Sequence, residues 1–171
     1  MIPKIIHAEL PYPSVDGLTT DLQSVKIISP AYAAPGPAEM SANLQYVFQH
    51  FIFEKLGMDD IAETILGISL SEMLHLDLIG SMISFMGVTP IYTANPMRYT
   101  DFYSARNVKY ATNPQKMIID DIADEFAAID LYKSMVAQLK NEQVSAVISR
   151  IILDEKVHIE TLKDILKQLT T

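Results

Sequence analysis

Two stretches of this 171-residue chain repeat one pattern, 83 positions apart. Read in steps of three and four, the first gives Ile61, Ile65, Ile68, Glu72, His75, Ile79, Met82 and Met86. The second gives Val144, Ile148, Ile151, Glu155, His158, Leu162, Ile165 and Leu169. Each is the apolar seam of an amphipathic helix. Each is broken at the same two steps by Glu-x-x-His. A third seam runs Ile118, Ile122, Glu125, Ile129, Tyr132, Val136 and Leu139, and a fourth runs Glu39, Ala42, Tyr46, His50 and Phe53. Seams of this kind bury against one another at bundle crossing angles. The spacing predicts helices over 37–56, 59–86, 114–140 and 142–169. Gly57 and Gly87 are placed to stop helices, and Asn113-Pro114 to start one.

There is also a second internal repeat: Glu39, Ala42 and Tyr46 recur as Glu125, Ala128 and Tyr132. In an antiparallel hairpin, two residues at one level straddle the turn evenly. Glu39 and Glu72 are centred near residues 55–56, and Glu125 and Glu155 near 140; Lys55-Leu56-Gly57 and Lys140-Asn141 read as turns. Each hairpin therefore holds two glutamates at mid-height. Four carboxylates and two imidazoles then point into one core. A carboxylate is not left charged and alone in an apolar interior, and no Lys or Arg lies on these seams. Two divalent cations would balance four carboxylates and two neutral imidazoles. The members of each Glu-x-x-His pair lie one turn apart on one helix face, so each pair can serve one ion while its glutamate bridges to the other.

Composition narrows the chemistry further. The chain has no cysteine, which excludes disulfides, Cys-ligated zinc, iron–sulfur clusters and thiol catalysis. With 13 basic against 21 acidic residues and a net charge of −8, it is no candidate for nucleic-acid binding. No membrane span is expected, and residues 1–13 do not read as a signal peptide; a cytoplasmic location is the default. Six of the nine prolines fall in residues 1–37. Residues 1–36 are therefore expected to form an extended N-terminal arm with turns and one short strand at Val25–Ile28. Residues 37–171 form the helical domain. The arm carries Ile5, Ile6, Tyr12, Val15, Val25, Ile27 and Ile28, enough apolar surface to pack on the body or on a neighbouring subunit. Residues 87–113 form a connector.

The segments AEMSANLQY (38–46), SEMLH (71–75), DEFAAIDLY (124–132) and DEKVH (154–158) resemble the ferritin-like superfamily of dimetal-carboxylate proteins. The resemblance covers roughly residues 38–168 and is strongest to small bacterioferritin-like and manganese-catalase-like proteins. It implies an all-α, ferritin-like four-helix bundle, built of two antiparallel hairpins joined by a long crossover. It also implies two iron or manganese ions per chain that react with oxygen or peroxide. Glu39 and Glu125 resemble terminal carboxylates, Glu72 and Glu155 bridging ones, and His75 and His158 the single imidazole on each metal. Asp154 resembles the aspartate that orients the opposite histidine, here His75. Ser71 stands where a second such aspartate is common, which implies two unequal metal sites. Tyr46 resembles a buried tyrosine near the centre, a hydrogen-bond partner or electron donor.

Other residues read more plainly. Asp121 rivals Glu125 by separation, but with Asp120 and Asp124 it reads as charge at a helix N-terminus and on the surface. His50 reads as a core or supporting histidine rather than a ligand. Tyr132 reads as a packed tyrosine with a satisfied hydroxyl, although its repeat with Tyr46 leaves a redox role open. Met73 follows Glu72 as the haem-ligating methionine of bacterioferritins does; it reads as packing, and haem is not expected. The favoured function is a peroxide-detoxifying oxidoreductase, since peroxide disproportionation needs no external donor. A ferroxidase or iron-binding bacterioferritin-like protein is the first alternative, and a metal-binding structural component of the spore-coat type the second. A homodimer or small homo-oligomer is expected rather than a large cage.

Overall fold

The computed structural model describes residues 3–170. Five α-helices form, α1 (Leu22–Ala33), α2 (Glu39–Lys55), α3 (Asp59–Phe85), α4 (Pro114–Gln138) and α5 (Glu142–Thr170). Helices α2 to α5 match the four predicted segments to within a few residues. Asn113 caps α4, its side chain accepting from the Lys116 amide at 2.9 Å, with Pro114 in the first turn. Gly57 ends the first hairpin helix with φ of 71°, a left-handed position that glycine takes without strain.

Cross-helix bonds set the directions. Asn43 donates to the Ser69 carbonyl (2.8 Å), and seven residues on His50 Nδ1 meets the Ala62 carbonyl (3.0 Å), so α2 and α3 run oppositely. Gln115 on α4 donates to the Leu169 carbonyl at the far end of α5 (2.9 Å). Between hairpins, Tyr132 meets Glu39, Tyr46 meets Glu125 and Gln49 meets Asp121, so α2 and α4 are also antiparallel. The connector must therefore carry the chain back along the bundle, and α4 runs parallel to α3. On the way it forms a small antiparallel ribbon, β1 (Thr93–Asn95) with β2 (Thr100–Phe102), pairing Thr93 with Phe102.

The bundle core is split in two. One apolar cluster contains Ile79, Met82, Ile83, Val144, Ile148 and Ile151; the other contains Phe53, Ile65, Ile68, Ile118, Leu162 and Ile165. On α3, α4 and α5 the polar seam positions lie between them in sequence, and on α2 Glu39 opens the helix. By length and composition α3 could cross a membrane, but 61% of its apolar window is buried inside the protein.

The arm departs from expectation. Val25–Ile28 is not a strand but part of α1. The local sequence explains why. Asp21 caps the helix, accepting from the Ser24 amide (3.0 Å) and hydroxyl (2.6 Å). Val25, Ile28 and Tyr32 repeat at helical spacing and are buried against the first cluster. Pro30 sits inside the helix, where it lacks the amide that would bond the carbonyl four residues back. Packing of the apolar face outweighs that loss.

Candidate metal centre

The six polar seam residues converge. Glu39, Glu72, His75, Glu125, Glu155 and His158 are each at most 4% exposed. Their donor atoms form two groups, Glu39–Glu72–His75–Glu155 and Glu72–Glu125–Glu155–His158, each with all donors within 4.8 Å of one another. Glu72 and Glu155 belong to both. His75 Nδ1 lies 3.4 Å from Glu39, 3.3 Å from Glu72 and 3.4 Å from Glu155. His158 Nδ1 lies 2.9 Å from Glu72, 2.9 Å from Glu155 and 3.5 Å from Glu125. Each imidazole thus aims one nitrogen at a terminal and two shared carboxylates.

Burial strains these charges. It raises the carboxyls of Glu39 and Glu125 well above the usual range, helped by neighbouring carboxylates and opposed by the histidines. Burial alone would raise Glu72 too, but His158 and His75 hold it below the usual range. Burial alone would lower both histidines. The surrounding carboxylates win and raise them, Glu39 and Glu155 acting on His75 and Glu72 first on His158. Glu39 Oε2 and Glu72 Oε1 are buried and accept no well-aligned hydrogen bond, although His75 Nδ1 and His158 Nδ1 lie 3.4 and 2.9 Å away. Orphaned oxygens beside convergent imidazoles are what a pair of hard cations would satisfy, and the O/N donor set suits iron or manganese.

The tyrosine repeat is resolved as an exchange between hairpins. Tyr46 donates to Glu125 (2.5 Å), and Tyr132 donates to Glu39. Each terminal glutamate is held by the tyrosine of the other hairpin. Burial first, then the charge on Glu125, keeps the Tyr46 phenol protonated as that donor.

The outward nitrogens of the histidines find unlike partners. His75 Nε2 lies 3.0 Å from Asp154, and Ser71 Oγ stands 3.5 Å from the same nitrogen. His158 Nε2 lies 2.8 Å from the backbone carbonyl of Ile6, in the arm. Ser71 thus sits by His75, and the carbonyl occupies the place expected of a second aspartate. His50 is not brought to the centre; its ring lies between the Ala62 carbonyl and Glu54.

Three residues escaped the sequence reading. Asp121 is a correction: it is fully buried, not surface charge. It lies one turn before Glu125, and the α4 seam passes through 121 as readily as 122. Gln45 and Gln49 on α2 donate to it, both at 2.8 Å. Asp120 and Asp124 do pair at the surface, with Lys116 and Lys109. Arg150 is buried and bonds Asp154 at 2.5 Å; its spacing of four from Asp154 was the available signal. Tyr12 donates to Asp154 at 2.7 Å, and no local pattern marked it. Met73, read as packing, is 48% exposed. A pocket between α2 and α4 reaches the carboxylate side of the centre. Gly36, Gln45, Lys109 and Asp124 line its outer part, and Glu39, Glu72, Glu125 and Glu155 its inner part.

Comparison with known proteins agrees with this architecture. The sequence model for the ferritin family, described as a ferritin-like domain, matches residues 37–171. No curated protein shows a significant match in sequence. Among solved structures, the fold is similar to KatB, a manganese catalase from Anabaena, with TM-score 0.80 and 18% identity over 96% of this chain and 80% of that one. It is also similar to the bacterioferritin BfrA of Mycobacterium tuberculosis, with TM-score 0.73 and 17% identity over 90% and 89% of the two chains. The bacterioferritin of Desulfovibrio desulfuricans, described with a diiron site, gives TM-score 0.72 and 20% identity over 87% and 81%.

Proposed function

The chain belongs to the ferritin-like domain family, and on that premise we propose that it is a dinuclear iron or manganese oxidoreductase that removes peroxide. The observation that carries this reading is the pair of buried donor groups sharing Glu72 and Glu155. Glu39 and His75 complete one metal site, Glu125 and His158 the other. A bound pair would supply Lewis acidity, redox equivalents and a template for an O–O substrate.

The residues have separable tasks. Tyr46 and Tyr132 fix the terminal glutamates by donating to them. Asp154 and the Ile6 carbonyl accept from the outward imidazole nitrogens, which leaves Nδ1 of each ring free to bind metal. The pocket between α2 and α4 admits a small oxidant from the carboxylate side, while the histidines face the arm. Two molecules of hydrogen peroxide yield one of oxygen and two of water with no outside electrons. A chain without cysteine, and so without a sulfur-ligated centre for electron delivery, suits that stoichiometry.

Elemental analysis of the purified protein should give two iron or manganese ions per chain. Oxygen release from peroxide by the manganese-loaded protein, lost in Glu72→Ala, supports the reading. The likeness to bacterioferritins sustains one alternative, a ferroxidase. Oxygen consumption with ferrous iron, without peroxide turnover by either metal, would select it. Large apolar side chains left in solvent, Leu44 and Phe51 on α2 and Met73 on α3, support a homodimer or small homo-oligomer, which size exclusion tests.

A further inference from the structure

We propose that the N-terminal segment from Lys4 to Tyr12 is a working part of the metal centre, and that its docking is thermodynamically coupled to metal binding at the His158 half. The inference rests on the dinuclear reading above. Its observations are independent of that reading.

The segment touches both histidine systems. Its Ile6 carbonyl is the hydrogen-bond partner of His158 Nε2 at 2.8 Å. Its Ala8 amide and Tyr12 hydroxyl both donate to Asp154, each at 2.7 Å, and Asp154 in turn partners His75. Arg150 anchors the segment from α5. Its guanidinium donates to the Ala8 carbonyl (2.7 Å) and twice to the Leu10 carbonyl (2.7 and 3.0 Å), and it stacks 4.3 Å from the centre of the Tyr12 ring. On the α3 side the Ile6 amide donates to the Gly67 carbonyl (3.1 Å).

Gly67 makes that approach possible. A Cβ there would collide with the Lys4 carbonyl oxygen and lie 2.9 Å from Ile6 Cγ1. The helix itself has no need of glycine at this position, because alanine is the better helix former. The missing side chain serves the arm.

The two halves are therefore unlike in their outer partners. His75 faces a carboxylate held by Arg150, whereas His158 faces a neutral carbonyl carried on a segment that has to dock. Loss of such a partner lowers metal affinity by roughly 10–100-fold. Linkage then requires metal to strengthen docking by the same factor.

The experiment compares the parent with Gly67→Ala, using Co2+ as a spectroscopic probe and amide exchange at Ile6 and Ala8 as a reporter of docking. The parent should bind two equivalents, and exchange at both amides should slow on loading. Gly67→Ala, with unchanged helix content, should expose the Ile6 amide while Arg150 and Asp154 keep Ala8 protected and the His75 half intact. It should bind one equivalent as before and the second roughly 10–100-fold more weakly, with a changed d–d spectrum for that equivalent alone. If Ile6 stays protected, Gly67→Leu makes the same demand with a larger side chain. A variant with Ile6 released but both equivalents bound as tightly as in the parent overturns the inference and leaves the dinuclear reading intact. A parent that binds no metal overturns both.

Discussion

Replacing Asp121 with asparagine removes a buried charge at almost constant volume. Asp121 is fully buried; its Oδ1 accepts from Gln45 and Gln49, and its Oδ2 has no partner. Burial, opposed by the two amides, raises its carboxyl from 3.8 to about 7. Between those values the unfolded chain has released a proton that the native protein still holds. Stability linked to this group is thus complete below the unfolded value and is lost as pH rises toward the folded one. The full displacement corresponds to about 4 kcal/mol, at about 1.4 kcal/mol per tenfold change in proton affinity. Of this, about 2–3 kcal/mol falls between pH 5 and pH 8. Asparagine has no proton to lose, and its carbonyl can keep both amide donors. The assay is urea unfolding of metal-free parent and Asp121→Asn at pH 5, 6, 7 and 8, read as the difference between them, so that titration common to both cancels. The variant should gain about 2–3 kcal/mol on the parent across that range, or about 1 M in midpoint for a slope near 2 kcal/mol/M. A difference constant to about 0.5 kcal/mol would refute the reasoning, because Asp121 would then carry the same charge in the native protein as in the unfolded chain.

Two further substitutions address the centre. Asp154→Asn should weaken metal binding roughly 10–100-fold, measured by competition with a chelator. It should also destabilise the fold by about 3–5 kcal/mol, since Arg150 would lose its buried partner. Tyr46→Phe leaves Glu125 without its donor. Two metals per chain should be retained, while unfolding free energy in denaturant should fall by about 1–2 kcal/mol.

The four bundle helices and the carboxylate–histidine layer are legible because both obey local rules. A helical seam is a short-range pattern, and a break in it stands out when it recurs 83 residues later, as Glu72 and His75 recur in Glu155 and His158. The arm was not legible for the opposite reason. Ile6 acts through its backbone carbonyl, which no sequence pattern marks, and Tyr12 and Arg150 meet only across some 140 positions of chain, as the Arg150–Leu10 bond does. In α1 the 25–28–32 spacing is a better guide than the proline count. Asp121 was misplaced by a single helical step. Its partners Gln45 and Gln49 lie on α2, more than 70 residues away.

The sharing of Glu72 and Glu155 has a consequence for how the molecule is assembled. One donor group takes Glu39, Glu72 and His75 from the first hairpin and Glu155 from the second; the other takes Glu125, Glu155 and His158 from the second and Glu72 from the first. Neither hairpin holds a complete set, and each lends the other its missing member. The tyrosines repeat the exchange. The centre is thus a joint between two halves of a chain as much as a place for chemistry. Severing residues 87–113 would leave two fragments that a metal pair, bound as proposed, would draw back together.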